Sequence, residues 1–435
     1  MFILYDLIFL IFSICYLPVF LFRKKMHPHF KMRLGILPKD WEFAQPIWIH
    51  AVSVGEAISV RHLIEDLRRA LPNKKFVIST VTATGNKIAN GIVEKKDFVI
   101  YLPLDFGFIV KKVIDRISPS VFVITETEIW PNLIRCLHKK KIPIVLVNGR
   151  ISDASYRGYS AIKLLLAPVL NKIDVFCVQS ERDKQRLLKL GARPEKIKVT
   201  GNMKFDIKIR DYDELRKDYT DYRQRLSLES KDRLLIAAST HKGEEEMVLK
   251  VFKELCMEHP NLKMLIAPRH PERIDEVEKY ILGSGFRAVR ISKLADKVGT
   301  SHVQLQETDK KIVFILDTVG QLLYFYVLSD IVFVGGSLVK KGGHNIIEPA
   351  SLSKPIIFGP HMFNFREIAA MFLKERSAIM VNDEQGLKNC LKDFLENESK
   401  ISESGRFAKD IIMKNKGATE RNKQVILDLL KNKNA

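Results

Sequence analysis

From Pro46 onward the chain repeats one pattern: a short run of apolar residues, then a stretch whose apolar residues recur three and four apart. The first run is IWIHAVS. The helix expected after it, Gly55 to Leu71, has apolar residues at 57, 58, 60, 63, 64 and 67, one face of a 3.6-residue period. FVISTVTATG, DFVIYLPLD, SPSVFVITETEIWPN, IPIVLVNGRIS, DVFCVQS and KIKVTGN continue the series. Strands that are apolar throughout, rather than alternating, are buried on both faces. Strands of that kind alternating with helices predict a parallel sheet covered on each side.

Residues 207–231 break the pattern, being charged and weakly periodic, and read as a linker. A second series follows: RLLIAASTH, NLKMLIAPRHPER, FRAVRIS, KIVFILDT, DIVFVGG and KPIIFGP. The expected domains are therefore 26–206 and 232–405, with a C-terminal helix over 406–435 packing back on the first. Open sheets of this kind bind ligands beyond the carboxyl ends of their strands, so the loops there carry the candidate chemistry.

Before the first domain, Met1 to Phe22 is apolar except for Asp6, Ser13 and Pro18, and Arg23-Lys24-Lys25 follows at once. A secretory signal carries its charge in the reverse order. About 20 apolar residues suffice to cross a bilayer, and a basic cluster marks the cytoplasmic side. Residues 1–25 are thus expected to anchor the body at the inner face of a membrane; the alternative is an interfacial or core helix.

Composition narrows the class. With 435 residues, 46% hydrophobic and 28% charged, the chain suits two or three globular domains and is neither disordered nor polytopic. Its net charge of +20 fits an anionic membrane surface, an acidic substrate or a lysine-rich solvated exterior. Nucleic acid is the weakest partner, because no recognition-helix motif or RNA-binding aromatic signature accompanies the charge. Five scattered cysteines without a CxxC pair argue for a reducing compartment and against structural zinc. Metalloprotease, P-loop, nucleophile-elbow and GxGxxG motifs are missing from their diagnostic places.

The stretch VFVGGSLVKKGGHNIIEPASLSKPIIFGPHMFN is the densest candidate site. Glycines permit close approach of backbone to ligand, a helix is expected to open near Asn345, and Glu348 one turn later suits a ribose. A pair of tight turns is the plain alternative. AASTHKGEE adds Ser239, Thr240 and Lys242, and APRHPER adds Arg269, His270 and Arg273, each just after a strand; together they suit a phosphate. In the first domain, Glu56 opens a helix. Ser53-x-x-Glu56 is a capping box, and spacing alone favours that role over a general base, which must be free to take a proton. Glu126, Asn148 and Arg150 lie at strand ends and are the acceptor-side candidates. Glu126 and Glu128 stand two apart where their strand runs into a polar turn, and a paired acid–base role is not expected of them.

Taken together and in order, VSVGE, TVTATG, YLPLD, ETEIWPN, NGRIS, VTGNMKFD, PRHPER, GGHNIIEPA and FGPHMFNF resemble the bacterial Kdo transferases over nearly the whole chain. That family moves 3-deoxy-D-manno-oct-2-ulosonic acid (Kdo) from CMP-Kdo to the lipid A precursor. The resemblance implies a GT-B architecture, an α/β fold of two Rossmann-like doubly wound domains facing across a cleft, here with the N-terminal anchor helix. It also implies an inverting reaction without metal or other cofactor, at the cytoplasmic face of the bacterial inner membrane. Under it Glu56 is the general base, and Ser239, Pro268, Arg269, Gly336, Gly343, Asn345 and Glu348 hold the CMP half of the donor. Ile346 stands where the family often has proline. Rival readings are an epimerase or transferase of the same fold using a UDP-sugar, separated by donor choice, and a membrane-tethered binding protein, which leaves Glu56 without a role.

Overall fold

The computed structural model describes residues 5–6, 9–11, 30–207, 222–295 and 312–434. Most of the expected anchor and residues 208–221 of the expected linker lie outside them. Among the described residues no helix is long and apolar enough to cross a membrane. The chain divides into two compact units, residues 1–206 with 415–435, and residues 207–414.

The first unit is built on strands β1 (Ile47–His50), β2 (Phe76–Thr80), β3 (Phe98–Tyr101), β4 (Val121–Thr125), β5 (Ile144–Gly149), β6 (Val175–Val178) and β7 (Ile197–Val199). Their order is β3-β2-β1-β4-β5-β6-β7, and every pairing is parallel. Successive side chains leave a strand on opposite faces, and here both faces are dry. Trp48, Phe122 and Phe176 pack one way, with Val110 and Ile114 of the Gly107–Ile117 helix and Leu133 and Leu137 of the Pro131–Lys139 helix. Ile47, Ile49 and Val121 pack the other way against Val60, Leu63, Ile64 and Leu67 of the Val54–Ala70 helix. This double burial is why the strands read as continuous apolar runs.

That second face also takes Ala418, Val425 and Ile426 of the Ala418–Asn434 helix. The helix expected from 406 in fact starts later. The Glu398–Asn415 helix runs through position 406 unbroken and buries Ala408, Ile411 and Ile412. The break comes at Gly417, whose φ of 90° a side chain would oppose. The N–H groups of Gly417 and Thr419 are both accepted by Asp206.

The second unit repeats the plan with β8 (Arg233–Thr240), β9 (Leu262–Pro268), β10 (Arg287–Arg290), β11 (Ile312–Ile315), β12 (Ile331–Val334), β13 (Ile356–Phe358) and β14 (Ile379–Met380). The order is β10-β11-β9-β8-β12-β13-β14, again parallel throughout. The strand order changes sides between β1 and β4 in the first sheet and between β8 and β12 in the second, where β11 also inserts between β9 and β10. A crevice opens beyond the strand ends at such a point, because the flanking helices leave to opposite faces.

Candidate active site

At the switch point of the first sheet, Glu56 lies in the first turn of the helix after β1. Ser53 is the N-cap and accepts the Glu56 N–H at 3.4 Å. The Glu56 carboxylate reaches back, Oε2 accepting the Val52 N–H at 2.8 Å and Oε1 the Ser53 hydroxyl at 3.1 Å. The capping box therefore forms, with the reach extended by one residue to Val52 instead of the N-cap N–H. Each carboxylate oxygen has a second lone pair, so capping leaves acceptor capacity on both. Glu56 is 9% exposed. Burial pushes its pKa up to about 7, and the charges of Glu126 and Glu128 push the same way.

The charges of those two carboxylates act on Glu56 from beyond the end of the strand. β4 stops at Thr125, and Glu126 turns left-handed with φ 59°. Lys204 Nζ stands 3.7 Å from Glu126 Oε1. Asn148, at φ 52° beside a register shift between β5 and β6, is fully buried, and its Oδ1 accepts the Met203 N–H at 3.0 Å. Its side chain thus fastens GNMKFD under the site. The Arg150 carbonyl accepts the Thr127 hydroxyl, tying the NGR and TET loops together. The basic run His138 to Lys141 begins in the last turn of the Pro131–Lys139 helix, at the far end from Glu128, and Lys140 there pairs with Asp115.

In the second unit the loops after β8, β9 and β12 meet. Ser239 takes φ 54° where the β8–β9 register shifts, and the Arg269 N–H donates to the Thr240 carbonyl at 3.0 Å. Pro268 ends β9, and the Arg269 side chain is exposed. Arg273 is already engaged, by Glu245 Oε1 at 2.8 Å and Glu276 Oε2 at 3.0 Å. Asn345 Nδ2 donates to Glu348 Oε1 at 3.0 Å, while its Oδ1 accepts the Ile347 N–H at 3.0 Å. The helix accordingly opens at Ile347, two residues later than expected. Ile346 is fully buried just before it, and burial raises the Glu348 pKa.

The organising residue of this cradle was not singled out from the sequence. Glu244, fully buried, accepts four backbone N–H groups: His241 at 3.0 Å, Gly336 at 2.7 Å, Ser337 at 3.0 Å and Leu338 at 2.9 Å. In sequence it hides in the run Glu244-Glu245-Glu246, which resembles a solvated helix start. Its one signal is the H-x-x-E spacing from His241. His241 and His344, also missed, meet at 2.9 Å between Nε2 atoms. The FGPHMFN segment packs on the same loop, with Gly359 N–H donating to Ser337 Oγ at 2.8 Å and Asn364 N–H to the Gly342 carbonyl at 3.0 Å. Gly343, at φ 70°, lies so close to Met362 that a Cβ would fall 2.1 Å from its sulfur.

Residues 28–207 match the family model described as 3-deoxy-D-manno-octulosonic-acid transferase (kdotransferase). The chain is 36% identical to the 3-deoxy-D-manno-octulosonic acid transferase of Haemophilus influenzae, over 89% of this chain and 87% of that one. It is 32% identical to the transferase of the same name from Chlamydophila psittaci, over 85% and 83%. Among solved structures, the UDP-GlcNAc 2-epimerase of Neisseria meningitidis, bound to UDP-GlcNAc, superposes with a TM-score of 0.58 at 12% identity, covering 89% of this chain and all of that one. That likeness concerns the fold alone.

Proposed function

Since the chain belongs to the 3-deoxy-D-manno-octulosonic acid (Kdo) transferase family of glycosyltransferases, we propose that it moves Kdo from CMP-Kdo to the lipid A precursor, lipid IVA, with inversion and without a metal. The observation that carries the reading is Glu56: a buried carboxyl at the first sheet's switch point, with a pKa pushed up to about 7. A general base works best when its pKa lies near the working pH.

On the second unit, Arg269 meets the phosphate of the donor and Glu348, oriented by Asn345, accepts from the ribose hydroxyls. Ser239, Pro268, Gly336 and Gly343 bring backbone within reach of the nucleotide. The acceptor hydroxyl gives its proton to Glu56 as its oxygen attacks the anomeric carbon, and CMP leaves from the opposite face with the glycosidic oxygen. Cations at the phosphate stabilise the charge that develops there, the task a metal performs in other transferases. Glu126 and Arg150 flank the acceptor on the first unit, with Asn148 fixing the loop beneath them.

The body works at the cytoplasmic face of the bacterial inner membrane, anchored by its N-terminal segment. The net charge of +20 supports an anionic surface as partner, as do Phe108, 75% exposed, and Leu164, 90% exposed, on the first unit. Transfer from freshly generated CMP-Kdo to tetraacylated lipid A precursor, with products resolved by mass, tests the reading. A folded chain that binds CMP and transfers no Kdo would overturn it. Preference for a UDP-sugar would move it to the rival transferase reading.

A further inference from the structure

His241 and His344 belong to different loops, after β8 and after β12, yet their rings lie within 7° of coplanar and touch Nε2 to Nε2 at 2.9 Å. Two imidazoles can make that contact in one way only: one Nε2 carries a proton and donates, the other is bare and accepts. Both rings lie over Gly336, where a Cβ would sit 3.0 Å from His344 and 3.3 Å from His241. Gly336 is in turn fixed by Glu244 through its N–H. The contact is thus built into the cradle from two loops.

The charges facing the pair are of one sign. His270 stacks edge-on to His241 at 5.4 Å, and Arg269, Arg273 and Lys341 act on the rings electrostatically. Of the carboxylates nearby, Glu244 is taken by backbone N–H groups, Glu245 and Glu276 by Arg273, and Glu272 stands by the neighbouring ring, 3.5 Å from His270 Nδ1. Burial first, and these cations second, push both imidazoles down to about 4.

We infer that His241 and His344 form a single-proton clasp that positions the phosphate cradle, and that an arriving phosphate group opens the clasp by drawing in a second proton. A second proton puts N–H against N–H and breaks the contact. Each ring then has an N–H donor to turn toward an anion, whose charge supplies the compensation missing in the free cluster. The proton comes from solvent, so binding and proton uptake are linked and each strengthens the other. The histidines act as positioning residues for the donor's phosphate. The inference rests on reading this cradle as the CMP-Kdo site.

Calorimetry of CMP binding to the full-length chain, in buffers of different ionisation enthalpy at pH 7, counts the protons taken up. The phosphate of CMP itself titrates near about 6, so the reading is the difference between wild type and His344→Gln. Glutamine can donate to His241 but cannot take the second proton. Wild type is expected to take up about half to one proton more than this variant. Its affinity should also rise more steeply as the pH falls from 8 to 6. His344→Ala, which removes the contact, should weaken CMP binding about ten-fold or more, beyond the loss in the glutamine variant. Equal proton uptake by wild type and His344→Gln would overturn the inference while leaving the donor site in place. So would two free-protein histidines that titrate independently near about 6.5 in nitrogen-15 spectra. A folded wild type that binds no CMP would overturn the donor reading and this inference with it.

Discussion

The carboxylate of Glu244 accepts the backbone N–H of Gly336 at 2.7 Å, joining the loop after β8 to the loop after β12 across the switch point of the second sheet. It takes three further N–H groups in the same way. Glu244→Gln turns an NH2 group toward these donors and leaves at least one of them buried without a partner, at a cost of about 2–4 kcal/mol. Thermal unfolding should register that loss, and CMP affinity should fall about ten-fold or more because the cradle loses its shape. Unchanged stability in this variant would remove Glu244 from its organising place.

Glu56→Gln should cut Kdo transfer about 100-fold or more. CMP binding should persist, since the residues assigned to CMP lie on the other unit. The amide oxygen can still accept the Val52 N–H, so the helix start survives. In wild type, activity should climb with pH and level off above about 7, because the base works only when ionised and its pKa is held up to about 7. Glu128→Gln removes one of the charges that raise that value and should shift the midpoint of the pH–rate profile downward. An unshifted midpoint would mean that Glu56 does not set the profile.

The same carboxyl carries a cost in stability. Its folded pKa stands above the unfolded one, so between about pH 4.5 and 7 the folded state binds more protons than the unfolded state, and stability falls as pH rises. Denaturant unfolding should show Glu56→Gln gaining on wild type through that window, by roughly 2–3 kcal/mol at pH 7.5. Parallel pH–stability curves for the two would refute it.

Gly336→Ala should be damaging for two independent reasons. The φ of 68° costs an alanine about 1–2 kcal/mol, and the new methyl meets the His344 ring at 3.0 Å. A drop in melting temperature with a loss of CMP affinity of about ten-fold or more is the expected pair of results. Loss of stability alone, at full affinity, would separate the glycine from the cradle.

Arg269→Ala should do the opposite, leaving the melting temperature within about 2 °C because the side chain is exposed and, among the described residues, its hydrogen bond is made by the backbone N–H. CMP affinity should fall about 10- to 100-fold, and Arg269→Lys should recover part of it, since an ammonium supplies charge without the planar fork. Full affinity in the alanine variant would send the phosphate elsewhere.

The two α/β units were legible in the residues alone, because strands dry on both faces are apolar along most of their length, as Ile47, Trp48 and Ile49 are. The sequence also marked the helix start at Ser53-x-x-Glu56 and the loops at AASTH, PRHPER and GGHN, since capping and tight turns depend on residues a few positions apart. Only the tertiary structure decided the rest. Strand order puts the loop after β1 beside the loop after β4, and the loop after β8 beside that after β12, although their sequences lie far apart. The strand ends before Glu126, which turns left-handed, and the charge of its carboxylate acts on Glu56, seventy residues earlier in the chain. Glu244 and the two histidines gain their meaning from partners roughly a hundred residues away. No local period encodes such a pairing; only the assembled sheet brings these residues together.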